Sequence, residues 1–356
     1  MLFGLFGSKE VYVGLDIGNY YVKAVAADSV WQDMKNLKSA KIDSVSKIHV
    51  ENIEDNNLLI NELTNLFSVY KSQKKSVKVI VCISSPNVIV RSIEVPKKVN
   101  LDREGMDIAR NYIPYKVEDA KYRFETLSED VPGAPDKKEV LLISFLLEEY
   151  VMLEDIISAA GLEKVAIEFD ELGVWRLLDG VNYLNFKSTN NIVIDLGHVT
   201  TKILVFQDGN LRQLRNIKFG GEEVRKRIVE KLNITNLDET MWSNISFKDQ
   251  KYLPVLSKAI EPLIKELKRT VILYKSKFEF SNIYIIGGLS YIDGIRDYIS
   301  QEVSLNVDNI DIYKVSNIKI DKKFEQEIKN NFNIYVNALG LALGHGQQKL
   351  ISKRII

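Results

Sequence analysis

Two segments about half a chain apart carry an Asp and a Lys at the same spacing. They are Val13-Gly14-Leu15-Asp16-Ile17-Gly18-Asn19-Tyr20-Tyr21-Val22-Lys23 and Ile192-Val193-Ile194-Asp195-Leu196-Gly197-His198-Val199-Thr200-Thr201-Lys202. Each is an apolar strand, an Asp-x-Gly turn, a Lys seven positions after the Asp, and another apolar strand. Gly after the acid lets the chain turn sharply and lets backbone N–H groups approach an oxyanion with no Cβ in the way. Two carboxylates brought near each other repel unless a divalent cation lies between them. Mg²⁺ suits this role, because it keeps its waters and accepts one or two carboxylates together with phosphate oxygens. Lys23, a compact point charge, can then reach a phosphate. A third element, Ile283-Tyr284-Ile285-Ile286-Gly287-Gly288-Leu289-Ser290, is a buried strand ending in a Gly pair that leaves room for a flat nucleoside. The candidate nucleotide-binding residues are therefore Asp16, Gly18, Asn19, Tyr20 and Lys23, then Asp195, Gly197, His198 and Thr200, then Gly287, Gly288 and Ser290, with Asp16 and Asp195 as the metal-facing acids. The bland alternative is that both Asp residues only cap turns. No residue stands out as a general base, so no catalytic residue is assigned.

Composition narrows the classes. The chain has 356 residues, 46% hydrophobic and 27% charged, which fits a folded protein large enough for two cores. Lys+Arg and Asp+Glu both number 48, so no global field draws it to nucleic acid and no nucleic-acid partner is expected. A single cysteine, Cys82, excludes an intrachain disulfide framework and reads as a buried small hydrophobe in the run Val79-Ile80-Val81-Cys82-Ile83. Residues 140–147 form the longest strongly apolar stretch, far short of the roughly 20 residues of a membrane span. Residues 1–7 lack a basic region and a cleavage site, so no secretory signal is expected and the protein is placed in the cytoplasm.

The elements that must position these residues follow from periodicity. Strands are expected at 11–16, 22–26, 77–83 and 283–286, and Leu59, Leu63, Leu66, Phe67 and Tyr70 recur at helical spacing. Asn100 caps a helix bearing Ile108, Tyr112 and Ile113 that stops before Pro114. Strands at 121–127 and 139–147 flank the turn Pro132-Gly133-Ala134-Pro135-Asp136, and a helix with Leu153, Ile156, Ile157 and Ala160 stops at Gly161. Asp208-Gly209 signals a hairpin. Leu256 to Tyr274 reads as a long amphipathic helix that Pro262 kinks or delays. A last helix covers residues 337–343, followed by a short basic and apolar tail, Gln347 to Ile356, read as a frayed end. Tyr112, Tyr115, Tyr122 and Phe124 are read first as core, with a peptide-docking surface as the alternative.

At the three glycine motifs the chain resembles the actin, Hsp70 and sugar kinase superfamily. Within it the chain is most similar to the PilM family of type IV pilus assembly proteins, relatives of the division protein FtsA. Further resemblance lies in Tyr112-Ile113-Pro114-Tyr115, in Ala160-Gly161-Leu162, in Asp170-Glu171-Leu172 through Arg176, in the helix from Leu263 to Tyr274, and in Asn337-Ala338-Leu339-Gly340-Leu341-Ala342-Leu343. The resemblance implies an α/β, two-lobed actin-like fold, a duplicated RNase H-like fold, with an FtsA/PilM-type inserted subdomain. The expected first lobe is 1–98 with 166–186 and the C-terminal helix 333–356. The insertion is 99–165, and the second lobe is 187–332 with a small subdomain at about 221–260. It also implies ATP with Mg²⁺ as cofactors, slow hydrolysis at most, and docking of the N-terminal cytoplasmic segment of a PilN-like single-span membrane protein. That partner would hold the chain at the inner face of the cell membrane. Other pilus motor components and self-association are further partners the family admits. His198 departs from the small residue usual in relatives; it either narrows the turn, titrates against a phosphate, or is a solvated or stacked loop residue. The stretch through Asn236-Leu237-Asp238-Glu239-Thr240-Met241-Trp242 lacks the acidic-plus-Lys helix that flanks adenine in relatives. An FtsA-like division tether and a small-molecule kinase are the alternative readings.

Overall fold

A computed structural model describes residues 10–354 apart from 51, 54, 132, 235, 236 and 238. The expectations at residues 1–7, at Pro132, at Asn236 and Asp238, and at Ile355-Ile356 lie outside the described residues. From the N-terminus run β1 (Glu10–Ile17), β2 (Tyr21–Trp31), β3 (Leu37–His49), α1 (Asn56–Leu66), α2 (Ser68–Ser72) and β4 (Ser76–Ile83). Next come β5 (Ile89–Pro96), α3 (Leu101–Arg110), β6 (Ala120–Ser128) and β7 (Lys137–Leu146), then α4 (Leu147–Ala159), β8 (Glu163–Phe169) and α5 (Asp170–Gly180). The chain continues through β9 (Asn191–Leu196), β10 (Thr201–Gln207), β11 (Asn210–Ile217), α6 (Gly221–Leu232), α7 (Glu239–Ser243), α8 (Leu253–Ala259) and α9 (Glu261–Tyr274). It ends with β12 (Asn282–Ile286), α10 (Ile295–Val303), β13 (Val307–Asn309), β14 (Ile318–Ile320) and α11 (Glu325–Arg354).

Two compact units result. The first holds Met1–Ser85, Leu146–Tyr183 and Asp311–Ile356, and the second Pro86–Phe145 and Leu184–Ile310. The segment expected as a separate insertion is thus divided. Its α3, β6 and β7 go with the second unit, together with β5, while α4 and β8 complete the first.

In the first unit the strands order β14-β3-β2-β1-β4-β8, with β1, β4 and β8 parallel and β1, β2 and β3 antiparallel. Strand alternation sends Val13, Leu15 and Ile17 to one face, where Leu59 and Leu63 of α1 and Leu153, Ile156 and Ile157 of α4 cover them. Cys82 is buried on the other face with Ile80 and Leu341, as its apolar run implies. There α11 approaches β1 so closely that a Cβ on Gly14 would lie 1.9 Å from the Ala338 carbonyl oxygen. A Cβ on Gly340 would lie 1.8 Å from the carbonyl oxygen of Gly173 in α5. The Asn-Ala-Leu-Gly-Leu-Ala-Leu run is small on one side because two backbones press against it. Arg176 locks this layer, donating to both oxygens of Glu168 at 2.8 and 2.9 Å and to the Gly340 carbonyl at 3.1 Å. Helix α11 is far longer than residues 337–343, beginning at Glu325, with one non-helical residue at Asn331, and continuing to Arg354. The tail expected to fray therefore starts as helix. Gln347 accepts from Arg176 Nε at 2.7 Å and donates to the Met34 carbonyl at 2.8 Å, and Lys349 lies 3.8 Å over the Tyr12 ring.

The second unit orders its strands β13-β12-β9-β10-β11-β5-β7-β6. β13, β12 and β9 are parallel, and β9, β10 and β11 antiparallel. β5 joins β11 through Gln213 opposite Arg91. On one face Ile192, Ile194, Leu196, Ile203 and Val205 share a single core with Val224, Ile228, Leu256, Leu263, Ile295 and Ile299, so the region at 221–260 is packed into that core. Pro262 splits the expected long helix, since α8 stops at Ala259 and Pro262 sits in the first turn of α9, where its missing N–H costs nothing. Asn100 caps α3 as expected, its side chain accepting from the amides of Asp102 and Arg103. Tyr112, Tyr115, Tyr122 and Phe124 pack against Ile93, Val95, Ala109 and Val140.

Candidate functional site

The two Asp-x-Gly segments fold into the same hairpin. In the first unit Asp16 pairs across the strands with Lys23 and Ile17 with Val22, which leaves residues 18–21 as the turn. In the second, Asp195 pairs with Lys202 and Leu196 with Thr201, which leaves residues 197–200. Directly opposite residues on an antiparallel pair point to the same face with Cβ atoms about 5 Å apart. The Lys seven positions on is thus the register partner of the acid. In the first hairpin it is also an ion-pair partner, with Lys23 Nζ 2.9 Å from Asp16 Oδ2, both side chains largely buried. The sequence expectation sent Lys23 toward a phosphate; the structure holds its ammonium on Asp16 and against the Gly18 turn, 2.7 Å from where a Gly18 Cβ would be. In the second hairpin Lys202 is 2% exposed.

The second turn needs its glycine, and the first is tight against its own. A Cβ on Gly18 would meet the Tyr21 carbonyl oxygen at 3.1 Å, and one on Gly197 would meet the Thr200 carbonyl oxygen at 2.5 Å. Gly18 N–H donates to Tyr21 O at 3.1 Å. Tyr20 packs edge-on against Tyr21 and tilted against His49, with ring centroids at 4.7 and 4.3 Å, while Asn19 is half-buried at the turn. The second turn docks on the start of α6. Gly221 N–H donates to Gly197 O at 3.0 Å and Glu222 N–H to His198 O at 2.9 Å. A Cβ on Gly221 would lie 3.3 Å from His198 Nδ1, so the half-buried imidazole lies beside this helix start. Thr200 is buried at the far end of the turn.

The third motif lies beside the second. β12 runs parallel to β9 with Ile286 opposite Asp195, so Gly287 emerges next to that acid. Gly287 has φ 85° and ψ 175°, a conformation essentially confined to glycine, and a Cβ there would lie 2.7 Å from Asp195 Oδ1. A Cβ on Gly288 would meet nothing within 4 Å. The Ser290 hydroxyl donates to the Gly287 carbonyl at 2.6 Å, so it closes this turn.

Motif spacing did not single out Asp170 and Glu171, quoted above only within the resemblance. They are buried to 2% and 1% exposure at the start of α5, directly after β8. β8 is parallel to β4 and β4 to β1, so these acids leave the same strand ends as Asp16. In open α/β sheets ligands sit at the carboxyl ends of strands, which is where Asp16, Asp195, Gly287 and Asp170 all lie. The available signal was a pair of acids ending an apolar strand and opening a helix, whose dipole favours them.

The model of the family described as type IV pilus assembly protein PilM matches residues 14–345. The chain belongs to that family. Among solved structures it is similar to the PilM–PilN type IV pilus biogenesis complex, with 19% identity over 94% of this chain and 98% of that one and a TM-score of 0.75. It is also similar to MreB5 of Spiroplasma citri bound to ADP, with 15% identity, coverage of 97% and 98%, and a TM-score of 0.51. A third is the ethanolamine utilization protein EutJ from Carboxydothermus hydrogenoformans, with 14% identity, coverage of 94% and 89%, and a TM-score of 0.50. The fold of this PilM-family chain is therefore actin-like. Among the described residues no helix is long and apolar enough to cross a membrane, and no group of three or more His, Cys, Asp or Glu side chains could hold a metal ion by itself.

Proposed function

We propose that this PilM-family chain binds Mg–ATP through its glycine motifs and, in the nucleotide-bound state, docks the N-terminal cytoplasmic segment of a PilN-like single-span membrane protein. Docking would keep it at the inner face of the cell membrane. The observation that carries the nucleotide reading is the repeated hairpin. In two units an acid and a lysine face each other in the same register above a tight turn that carries glycine. Turn amides without a Cβ suit phosphate oxygens, and Gly288 leaves open space where a nucleoside could lie against the backbone. Asp16 and Asp195 are the acids we propose to face Mg²⁺, which keeps its waters and accepts one or two carboxylates together with phosphate oxygens. Lys23 would balance the charge of Asp16 when phosphate arrives. Likeness to a PilM–PilN complex and to an ADP-bound relative supports the partner and the nucleotide. We assign no general base, and turnover would be slow.

The test is fluorescence titration of a labelled ATP analogue with Mg²⁺ on the wild type and on Asp195→Asn, joined to co-purification with the partner segment with and without ATP. Binding that Asp195→Asn weakens about tenfold or more, and retention of the segment that depends on ATP, is the expected pair of results. No saturable ATP binding by the wild type would end the nucleotide reading; no retention of the segment would end the partner reading.

A further inference from the structure

We infer that the groove between α1 and α4 docks a cationic amphipathic helix supplied by a partner protein. The groove has a volume of about 480 Å³. Its floor is Ile60 of α1 with Val151, Met152 and Ile156 of α4, and Glu148 and Asp155 stand along it. Positions 148, 151, 152, 155 and 156 fall three, four, seven and eight residues from the first, so they form one stripe along two turns of α4. Ile156 is shared with the core-facing side of α4, where it is buried with Leu153 and Ile157 under the sheet beside Leu59 and Leu63 of α1, so the outward apolar members of the stripe are Val151 and the half-buried Met152. Val151 is 45% exposed and Leu147, at the head of the helix, 42%. A helix already anchored by one apolar face and presenting a second across a concave surface has the form of a helix-in-groove site.

Charge selects the occupant. α4 carries Glu148, Glu149, Glu154 and Asp155 and no basic residue, and α1 carries no Lys or Arg. Glu149 accepts from the Ser85 hydroxyl at 2.9 Å and Glu154 pairs with Lys164. Glu148 and Asp155 have no ion-pair partner among the described residues. An apolar strip with an uncompensated carboxylate at each end matches a helix with Leu or Ile on one side and Lys or Arg flanking it. An anionic lipid surface would be repelled. A second copy seated through the same stripe would set Glu148 and Asp155 against their own equivalents, which costs rather than stabilises. The inference does not rest on the PilN-like reading, because the probes below contain no pilus sequence.

The experiment uses the full chain and fluorescein-labelled helical peptides of about 14 residues, one of Leu and Lys and one of Leu and Glu in the same pattern, read by anisotropy. The wild type is expected to prefer the Leu/Lys peptide by about tenfold, and Glu148→Lys with Asp155→Lys is expected to invert that preference. Both residues are on the surface, so circular dichroism of the double variant should match the wild type. Glu230→Lys, on α6, should leave the preference alone. A double variant that keeps the wild-type preference overturns the inference, as does a Glu230→Lys protein that inverts it equally. A wild-type dimer that the double variant converts to monomer, seen by light scattering, overturns it too, since the face would then join copies of this chain.

Discussion

A methyl group on Gly287 would lie 2.5 Å from the Leu196 carbonyl oxygen and 2.7 Å from Asp195 Oδ1, on a backbone already at φ 85°. Gly287→Ala should therefore cost about 1–3 kcal/mol of stability and displace the acid beside it. Gly288→Ala has no such neighbour within 4 Å and should melt like the wild type. Thermal melts paired with ATP titrations separate two roles for the pair. A Gly288→Ala protein of normal stability that binds nucleotide several-fold more weakly would mark a ligand lying over that glycine. Unchanged affinity would confine the Gly pair to making the turn. At the same scale His345 is 3% exposed, with its Nε2–H donating to the Val13 carbonyl at 3.1 Å and its ring against Tyr12. Burial pushes its pKa down to about 4, against the raising effect of the Val13 bond; Lys349 and Arg176 lower it further and Glu168 raises it. The native state thus binds this proton less readily than the unfolded chain, and stability present above pH 6.5 is lost as pH falls toward 4. Between pH 7 and 5 the loss should be about 2 kcal/mol, and His345→Gln should flatten that slope in urea melts. Glu261, held down to about 2 by Lys258 and Lys265 from an ordinary value of 4.5, contributes stability that is lost as pH falls below about 4.5, under this window. An equal slope in both proteins would refute the assignment.

Helix α11 shows why some elements were legible and others not. Its segment 337–343 announced itself by small residues, and the structure explains them through the contacts with Gly14 and Gly173. The turns before and after it lack that signature: Glu325 to Asn331 is mostly polar, and Gln347 and Lys349 are held by Arg176, Met34 and Tyr12, which spacing along the chain cannot reveal. Local chemistry was read directly where it acts locally, as at the Asn100 cap and at Pro262. β3 escaped notice because its buried Leu37, Ala40, Ile42 and Val45 do not alternate, and two irregularities in its pairing with β2 account for that. The hairpin motifs were legible as turns and as a repeat, whereas the Asp16–Lys23 ion pair and the burial of Asp170 and Glu171 depend on cross-strand register and on neighbouring strands. Gly340→Ala tests the packing claim. Its Cβ would sit 1.8 Å from a backbone oxygen that no side chain can relieve, so α5 and α11 must move apart. A loss of about 3 kcal/mol or failure to fold is expected, against near neutrality for an alanine at an open glycine such as Gly288. A Gly340→Ala protein within about 0.5 kcal/mol of wild type in urea melts would show the helices free to separate.

For the whole molecule, balanced charge and the placement of the motifs in two units determine how nucleotide should register. With Lys+Arg equal to Asp+Glu at 48 each, no net field concentrates a polyanion near the surface. On the proposed reading, affinity for a nucleotide would then come from the local amides, lysines and Mg²⁺. Because Asp16 lies in one unit and Asp195 in the other, a ligand that uses both motifs stabilises both units against unfolding. A ligand that uses only one stabilises one unit and splits the melt. At one hundred times its dissociation constant, Mg–ATP should add about 2.7 kcal/mol. For a single transition of a chain of 356 residues that is a rise in Tm of roughly 3–4 °C. The measurement is differential scanning calorimetry of the wild type, Asp16→Asn and Asp195→Asn, each with and without Mg–ATP. A single transition that shifts upward in the wild type, with the shift lost in either variant, is the outcome expected if both hairpins grip one ligand. A shift that survives Asp16→Asn unchanged would leave the second unit alone as the nucleotide site and make the first hairpin a structural echo of it.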